Sequence, residues 1–287
     1  MDVSTPYQIA HAMRKQKMAL IPQNDDINHL LNNVIITEPL RPYLGLSQIG
    51  NGCHRFLQYY HYWCFQSSYS NRVKRLFGAG HSAEETMIAD LKKVGINVTN
   101  QQQSIVATGG HWRGHTDGSS IWGLREYLVE FKTHNDKSFK DLIKKKVKLS
   151  KPGHYGQCQS YMGYLKLKAC IYMALNKNDS TYYIEIIEFD PEYFEDSKRK
   201  EGEIIMSDVL LPKIGTGTST WFECKMCDAR NVCHKGKDPL KSCRSCEFVD
   251  VLDEGKWACT KSLTEKILSV DEQRAACYLY EVGDIFK

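Results

Sequence analysis

Long apolar runs are missing from this 287-residue sequence. No stretch approaches about 18 consecutive apolar residues, the length that a membrane-spanning helix requires, so a membrane span is excluded and no membrane partner is expected. The N-terminal residues lack an apolar segment with a small-residue cleavage site, which favours a cytoplasmic location, or the host cytoplasm if the source is viral. With 20 glycines, 8 prolines and 11% aromatic residues, the sequence is neither collagen-like nor disordered.

The composition that remains is that of a globular protein with one large domain or two modest ones. Hydrophobic residues make up 42% and charged residues 25%, and the net charge is only +4. That charge is uneven, because residues 132–151 hold eight lysines against two aspartates. Such a segment is typical of a polyanion-binding site, although a solvated helix face would have the same composition. Its densest part is Lys144, Lys145 and Lys146.

Eleven cysteines are many for a chain that is not secreted, and their odd number means that disulfides could not pair them all. Six of them lie between positions 224 and 259, at spacings typical of metal ligands. The first set is Cys224, Cys227 and Cys233, one ligand short of a four-coordinate site. The second set is Cys243, Cys246 and Cys259, with either His234 or Cys277 as the fourth ligand.

Apolar periodicity predicts an α/β fold with a mixed sheet flanked by helices. In chain order the predicted elements are a helix over 53–95, strands over 96–108, 111–120 and 126–133, a helix from Pro152, strands over 168–176 and 180–189, and a charged helix over 191–209. Cysteines and basic residues dominate from Trp221 onward, which predicts a boundary near residue 215 and a Cys-rich metal-binding region beyond it.

Two carboxylates and a lysine lie where neighbouring strands are predicted. Asp117 ends one strand, and Glu130 and Lys132 share one face of the next because side chains alternate along a strand. Two carboxylates on adjacent strands can hold a hard cation such as Mg²⁺, and a lysine beside them can activate water or stabilise phosphate charge. Spacing alone makes this a weak signal.

The surrounding motifs strengthen it. GAGH contains His81, GHTDG contains Asp117, EFKT contains Glu130 and Lys132, and QCQSY contains Gln157 and Tyr161. In this order the motifs resemble those of the PD-(D/E)XK nucleases, specifically the RecB-type exonuclease branch, over about residues 50–235. The proline that names the family is absent, and Thr116 stands in its place.

The resemblance implies a restriction-endonuclease-like fold and a site for Mg²⁺ or Mn²⁺. Its ligands would be His81, Asp117, Glu130 and the carbonyl of Phe131. Lys132 would be the catalytic lysine, and Gln157 and Tyr161 would hold that lysine or the scissile phosphate. Glu84 and Glu85 follow His81 by one helical turn and would either support the metal or be exposed helix acids.

Resemblance also suggests occupants for the two cysteine sets. In the iron–sulfur nucleases of this branch, such as the CRISPR-associated adaptation nucleases and AddB, the fourth cysteine lies far upstream. Cys53 in GCHRFLQYY fits that place and implies a [4Fe–4S] cluster with Cys224, Cys227 and Cys233, although Zn²⁺ accepts the same thiolates. The second set resembles a zinc-binding tail of phage-encoded proteins, which favours Cys277 over His234 as the ligand that joins Cys243, Cys246 and Cys259.

The sequence therefore predicts a metal-dependent DNA nuclease, an exonuclease on single-stranded ends in phage or mobile-element recombination, replication or repair. Lys144, Lys145 and Lys146 would contact the DNA backbone. The alternative is a nucleic-acid-binding partner module of a repair or adaptation complex with little activity of its own. The predicted regions are an N-terminal helical region over 1–70, a nuclease core over 71–214, a cluster segment over 215–240 and a zinc-binding tail over 241–287. Protein partners are not indicated.

Overall fold

The computed structural model of the protein describes residues 24–261 and 265–287. By the packing of Cα atoms these residues divide into two compact units, 24–38 with 68–79 and the remainder. The predicted division into four regions stays a prediction, and part of its N-terminal region lies outside the described residues.

The first unit contains helix α1 (Asn24–Asn33), strand β1 (Ile35–Thr37), strand β3 (Ser68–Ser70) and the start of helix α3 (Asn71–Lys93). Strands β1 and β3 pair antiparallel.

The long helix predicted over 53–95 is wrong, because a separate helix α2 (His54–His61) precedes α3. Trp63 adopts a left-handed φ of +54°, which stops α2, and its indole N–H donates to the Arg41 carbonyl at 2.7 Å.

The second unit is built on a four-stranded sheet in the order β6-β7-β8-β9. Its strands are β6 (Gly118–Trp122), β7 (Arg125–His134), β8 (Ala169–Asn176) and β9 (Tyr182–Glu188). Strands β6 and β7 are antiparallel, β7 and β8 parallel, and β8 and β9 antiparallel. A parallel pair needs a long crossover, and here helix α4 (Asp136–Ser150) and helix α5 (Pro152–Leu165) supply it.

Helices cover both faces of the central strands. Phe139 and Leu142 of α4 and Met162 of α5 pack in one core with Leu128 and Cys170 of the sheet. On the other face, a smaller core joins α3 to β7 and β8 through Met87, Leu91, Val129, Phe131 and Met173. Strands buried on two faces need apolar residues at almost every position, which explains the nearly continuous apolar sequence of β8 and the apolar centre of β7.

A second sheet contains β2 (Leu44–Gly45), β5 (Trp112–His115) and β4 (Ser104–Ala107). Strand β2 runs parallel to β5, and β4 runs antiparallel to it. The single strand predicted over 111–120 is therefore wrong, since the chain leaves this sheet after His115 and enters the four-stranded sheet at Gly118. The strand predicted over 96–108 shortens to β4, with only a bridge between Thr99 and Ser119 before it.

The predicted charged helix is α6 (Pro191–Met206), whose first turn is capped by Asp190. Short elements follow: α7 (Phe222–Lys225), α8 (Arg230–Lys235), an antiparallel sheet of β10 (Val249–Val251), β11 (Trp257–Cys259) and β12 (Lys266–Ile267), and α9 (Val270–Ala275). The predicted fold class, a mixed sheet flanked by helices with a Cys-rich C-terminal region, is confirmed.

The C-terminal region is anchored by a buried arginine. Arg244 is 1% exposed, and its guanidinium lies 3.9 Å from the ring centre of Trp63 and 4.3 Å from that of Trp257. It donates to the carbonyls of His61 and Pro42. Stacking between two indoles holds a guanidinium without a carboxylate partner, because the ring faces are electron-rich.

Candidate active site and cysteine groups

Asp117 lies where the chain passes from one sheet to the other. Its carboxylate accepts a hydrogen bond from the Phe131 N–H at 2.8 Å. Strand β6 begins at Gly118, so β7 has no strand partner on that edge at Phe131, and the Phe131 carbonyl faces the same edge as its N–H. Gly118 has φ +153°, and a Cβ there would lie 2.5 Å from Val98 Cγ1. The switch between sheets thus requires glycine after Asp117.

Glu130 and Lys132 share one face of β7. The Lys132 ammonium contacts Glu130 Oε1, whereas Glu130 Oε2 is buried and has no hydrogen-bond partner in the described residues. Glu130 is 0% exposed, and burial together with the neighbouring Asp117 carboxylate raises the pKa of Glu130 to about 8. Burial also raises the pKa of Asp117, although Lys132 and His81 oppose this. Burial by itself would lower the Lys132 pKa, but Glu130 and Asp117 raise it above its ordinary value.

Helix α3 brings His81 and one of its two following acids to this site. His81 is exposed, and its charge lowers the pKa of Asp117. Glu84 is half-buried, and burial followed by the Asp117 charge raises its pKa. Glu85 is exposed. The structure therefore separates the two glutamates: Glu84 faces the carboxylates, and Glu85 faces solvent.

Helix α5 places Gln157 and Tyr161 against the same carboxylates. Both residues are buried, and Gln157 hydrogen-bonds to the Tyr161 hydroxyl. Burial, then the charges of Glu130 and Asp117, raise the pKa of Tyr161. A Cβ at Gly114 would lie 2.8 Å from the Tyr161 hydroxyl oxygen, so only glycine at that position of β5 leaves room for the ring.

This donor set fits a divalent cation such as Mg²⁺ or Mn²⁺. Carboxylate and carbonyl oxygens are the ligands that these hard cations prefer, and a buried carboxylate oxygen without a partner is the kind of group that a cation satisfies. In the described part of the chain no three His, Cys, Asp or Glu side chains stand in an arrangement that holds a metal ion. Lys132 contacts one oxygen of Glu130 and the Phe131 N–H donates to one oxygen of Asp117, so each carboxylate keeps its other oxygen for a cation.

Four cysteines from both halves of the chain line one cavity, and we call them the first cysteine group: Cys53, Cys224, Cys227 and Cys233. Cys53 precedes α2 directly and lies about 170 residues before the other three. Burial, then the three other thiols of the group, raise the pKa of Cys227 to about 11. The cavity is also lined by Lys213, Arg55 and His234, so His234 lies with this group. All four thiols are free.

A second cavity is lined by the tail cysteine group: Cys243, Cys246, Cys259 and Cys277. Burial, then the other three thiols, raise the pKa of Cys243 to about 11. These thiols are also free, and Cys243 Sγ lies 3.4 Å from the Glu272 carbonyl oxygen. The structure therefore places Cys277, rather than His234, beside the other three members of this group.

The lysine segment, residues 132–151, covers the end of β7, all of α4 and Lys151, which lies between α4 and α5. Lys144, Lys145 and Lys146 are exposed, and Lys145 pairs with Asp141 at 2.8 Å. Lys146 has a left-handed φ of +63°, which kinks the helix, and the Val147 N–H donates to Glu185 at 2.9 Å. Part of the positive charge is thus balanced within the fold, and the exposed lysines lie on a kinked rather than a regular helical face.

No protein-family model matches the chain, and neither does the sequence of any curated protein. Among solved structures, the alkaline exonuclease LHK-Exo from Laribacter hongkongensis is similar at 16% identity and TM-score 0.41, over 57% of this chain and 86% of that one. Its complex with dAMP is similar at TM-score 0.38 with the same identity, over 57% of this chain and 87% of that one. SSO0001 is 13% identical at TM-score 0.37, over 75% of this chain and 88% of that one.

Among the described residues, no helix has both the length and the apolar character that crossing a membrane requires. The similarities to solved structures are distant, so a function is inferred below from the residues of the site.

Proposed function

We propose that this protein is a metal-dependent DNA nuclease of the RecB-type PD-(D/E)XK branch that acts as an exonuclease on single-stranded ends with Mg²⁺ or Mn²⁺. The observation that carries the proposal is the buried Glu130 carboxylate. Within the described part of the chain, one oxygen of this carboxylate has no hydrogen-bond partner. Glu130 lies two residues from Lys132 on the same strand face, and it shares the site with Asp117. Burying two carboxylates and an amine together costs free energy, and such clusters are typical of functional sites.

Asp117, Glu130, His81 and the Phe131 carbonyl would hold the cation, with Glu84 beside them. A bound cation supplies a water of lowered pKa and neutralises charge on the scissile phosphate. Lys132 stabilises the negative charge that develops on the phosphate oxygens. Gln157 and Tyr161 hold the face of α5 against the carboxylates and exclude bulk water, which strengthens these electrostatic interactions.

The test is degradation of end-labelled single- and double-stranded DNA with Mg²⁺, Mn²⁺ or EDTA. Glu130→Gln should lower the cleavage rate at least about a thousandfold, because it removes an anionic metal ligand and keeps the size and shape of the side chain. Glu201→Gln is the matched control. Glu201 is also 0% exposed and has an oxygen without a partner, but it bonds to Thr108 and Tyr164 away from Lys132. Equal activity of the Glu130 variant and wild type would refute the proposal.

The same assay addresses the end preference and the alternative role. Shortening of labelled single strands from one end, without cleavage of circular single strands, is the expected pattern for an exonuclease. DNA binding with no cleavage under any metal condition would instead favour the nucleic-acid-binding partner module. A place in phage or mobile-element recombination, replication or repair rests on the resemblance of the tail.

We further propose that the first cysteine group binds a [4Fe–4S] cluster and the tail cysteine group binds Zn²⁺. Four free thiols that line one cavity in each case support this, because four cysteine thiolates are the usual ligand set of structural Zn²⁺ and of iron–sulfur clusters. The test is the absorption spectrum and metal content of anaerobically purified protein. About four iron atoms and one zinc per chain are expected. Two zinc ions and no iron would assign zinc to both groups.

A further inference from the structure

A group of polar side chains lies beside Lys132 and has no part in the mechanism above. The Tyr172 hydroxyl lies 2.8 Å from His154 Nδ1 and 3.2 Å from His134 Nε2, so it bridges two imidazoles. The Ser138 hydroxyl lies 3.1 Å from His134 Nδ1 and fixes that ring. Tyr172 is 0% exposed and His134 is 7% exposed, so water does not compete strongly for these bonds.

Strand register sets this bridge against Lys132. Tyr172 lies opposite Glu130, and His134 lies four residues further along β7. A bond between their side chains must therefore pass the position where Lys132 lies opposite Ala174. Ala174 has only a methyl group, which leaves space for the Tyr172 ring. Glu130, Lys132 and His134 share one face of β7, so the bridge and the lysine side chain lie on the same face of the sheet, and the Lys132 charge acts on both imidazoles.

Both imidazoles of the bridge are neutral at physiological pH. Burial, with the charges of Lys151 and Lys132, lowers the pKa of His134 to about 4. Burial and the Lys132 charge lower the pKa of His154 to about 3. When both imidazoles are neutral, one accepts a hydrogen bond from the tyrosine hydroxyl, and the other donates its N–H to the tyrosine oxygen. The bridge therefore presents no anion that would draw the ammonium away from Glu130 and Asp117.

We infer that His134, Tyr172 and His154 form a positioning bridge that restricts the directions in which the Lys132 side chain can point and so keeps its ammonium beside the carboxylates. The inference rests on the proposed function and adds three residues to it. A free lysine side chain loses rotamer entropy when it is fixed in one direction, and a bridge that already limits its directions reduces that loss. Glu130 is the partner of Lys132 in this structure, and a phosphate must take over that contact while the bridge keeps the lysine in place.

The experiment is Tyr172→Phe, which removes one hydroxyl and both hydrogen bonds but keeps the ring. We expect kcat to fall about tenfold with KM for DNA unchanged, because a misdirected lysine affects the transition state rather than DNA binding. Tyr155→Phe is the matched control. Tyr155, on α5, is buried like Tyr172, but its hydroxyl donates to Asp190 at 3.4 Å and not to an imidazole. The control should retain the wild-type kcat.

A second measurement does not depend on activity. The rate at which an amine-acylating reagent modifies Lys132, followed by mass spectrometry of its peptide, should rise in Tyr172→Phe and stay at the wild-type value in Tyr155→Phe. An unchanged kcat or an unchanged Lys132 modification rate in Tyr172→Phe would overturn the inference. If Tyr172→Phe does not fold, His154→Asn takes its place under the same criteria. A wild-type chain that cleaves no DNA would refute the proposed function, whereas the modification rates would still decide the bridge.

Discussion

The active-site region and the two cysteine groups are assembled in opposite ways. Asp117, Glu130 and Lys132 lie on or beside a ten-residue strand that helices cover on both faces. The cysteines lie on or beside short elements, such as the four-residue α7 and the six-residue α8. Helices therefore hold the candidate active site in place, whereas the proposed metals would cross-link short elements that also pack in a small apolar cluster with Tyr59 and Trp257. Substitutions in the active-site region should lower the cleavage rate, and substitutions in the cysteine groups should lower the stability of the fold.

The largest expected effect is on chemistry alone. Lys132→Ala should reduce cleavage at least about a thousandfold while DNA affinity and the midpoint of thermal unfolding stay near wild type. Stability is retained because the raised pKa of Glu130, about 8, already keeps this carboxyl mostly protonated at neutral pH, so the loss of Lys132 leaves no unpaired charge buried there. Cleavage rates, fluorescence anisotropy and calorimetry measure the three quantities. A large fall in the unfolding midpoint would show that Lys132 also supports the fold.

The cysteine groups should show the reverse. Cys53→Ser should lose iron and about 3 kcal/mol of stability but keep zinc, and Cys246→Ser should lose zinc and keep iron, because each removes one ligand from a different group. Cys64→Ser is the control, since Cys64 is buried nearby but belongs to neither group. Metal analysis and denaturant unfolding provide the data. Unchanged iron in the Cys53 variant would exclude it as a ligand.

A third effect concerns pH at the active site. The raised pKa of Glu130, about 8, means that a cation must displace a proton at neutral pH. Affinity for Mn²⁺ should therefore rise about tenfold per pH unit as pH increases toward 8 and level off above it, since the carboxylate is then ionised. Calorimetric titration from pH 6 to 9 measures this. Glu130→Gln should bind weakly with no such slope, and a flat wild-type profile would contradict the buried-acid description.

The smallest effect is expected from the exposed lysines. Replacing Lys144, Lys145 and Lys146 by Gln should flatten the slope of log affinity against log salt by roughly 0.7 per lost phosphate contact on single strands. Lys145 already pairs with Asp141, so its share should be the least. The same replacement of Lys198, Arg199 and Lys200, a basic run on α6 paired with acids of its own helix, is the control. Equal slopes in both variants would remove the α4 lysines from the DNA path.

Short-range pattern was enough to predict most of what lies on single elements. Alternation along β7 placed Glu130 and Lys132 on one face, the four-residue spacing in α5 placed Gln157 and Tyr161 together, and the doubly covered strands were predicted from their apolar text. The spacing of the C-terminal cysteines likewise indicated two sets. These features follow from the periods of helix and strand, which a sequence displays directly.

Tertiary structure alone decided which distant residues meet. Glu84 rather than Glu85 faces the carboxylates because of the rotation of α3 against the sheet. The change of sheet at Asp117 and the Tyr172 bridge both depend on strand register, and a shift of one residue would turn every side chain to the other face. Register and helix rotation arise from packing between segments far apart in the chain, so no local pattern in the sequence contains them.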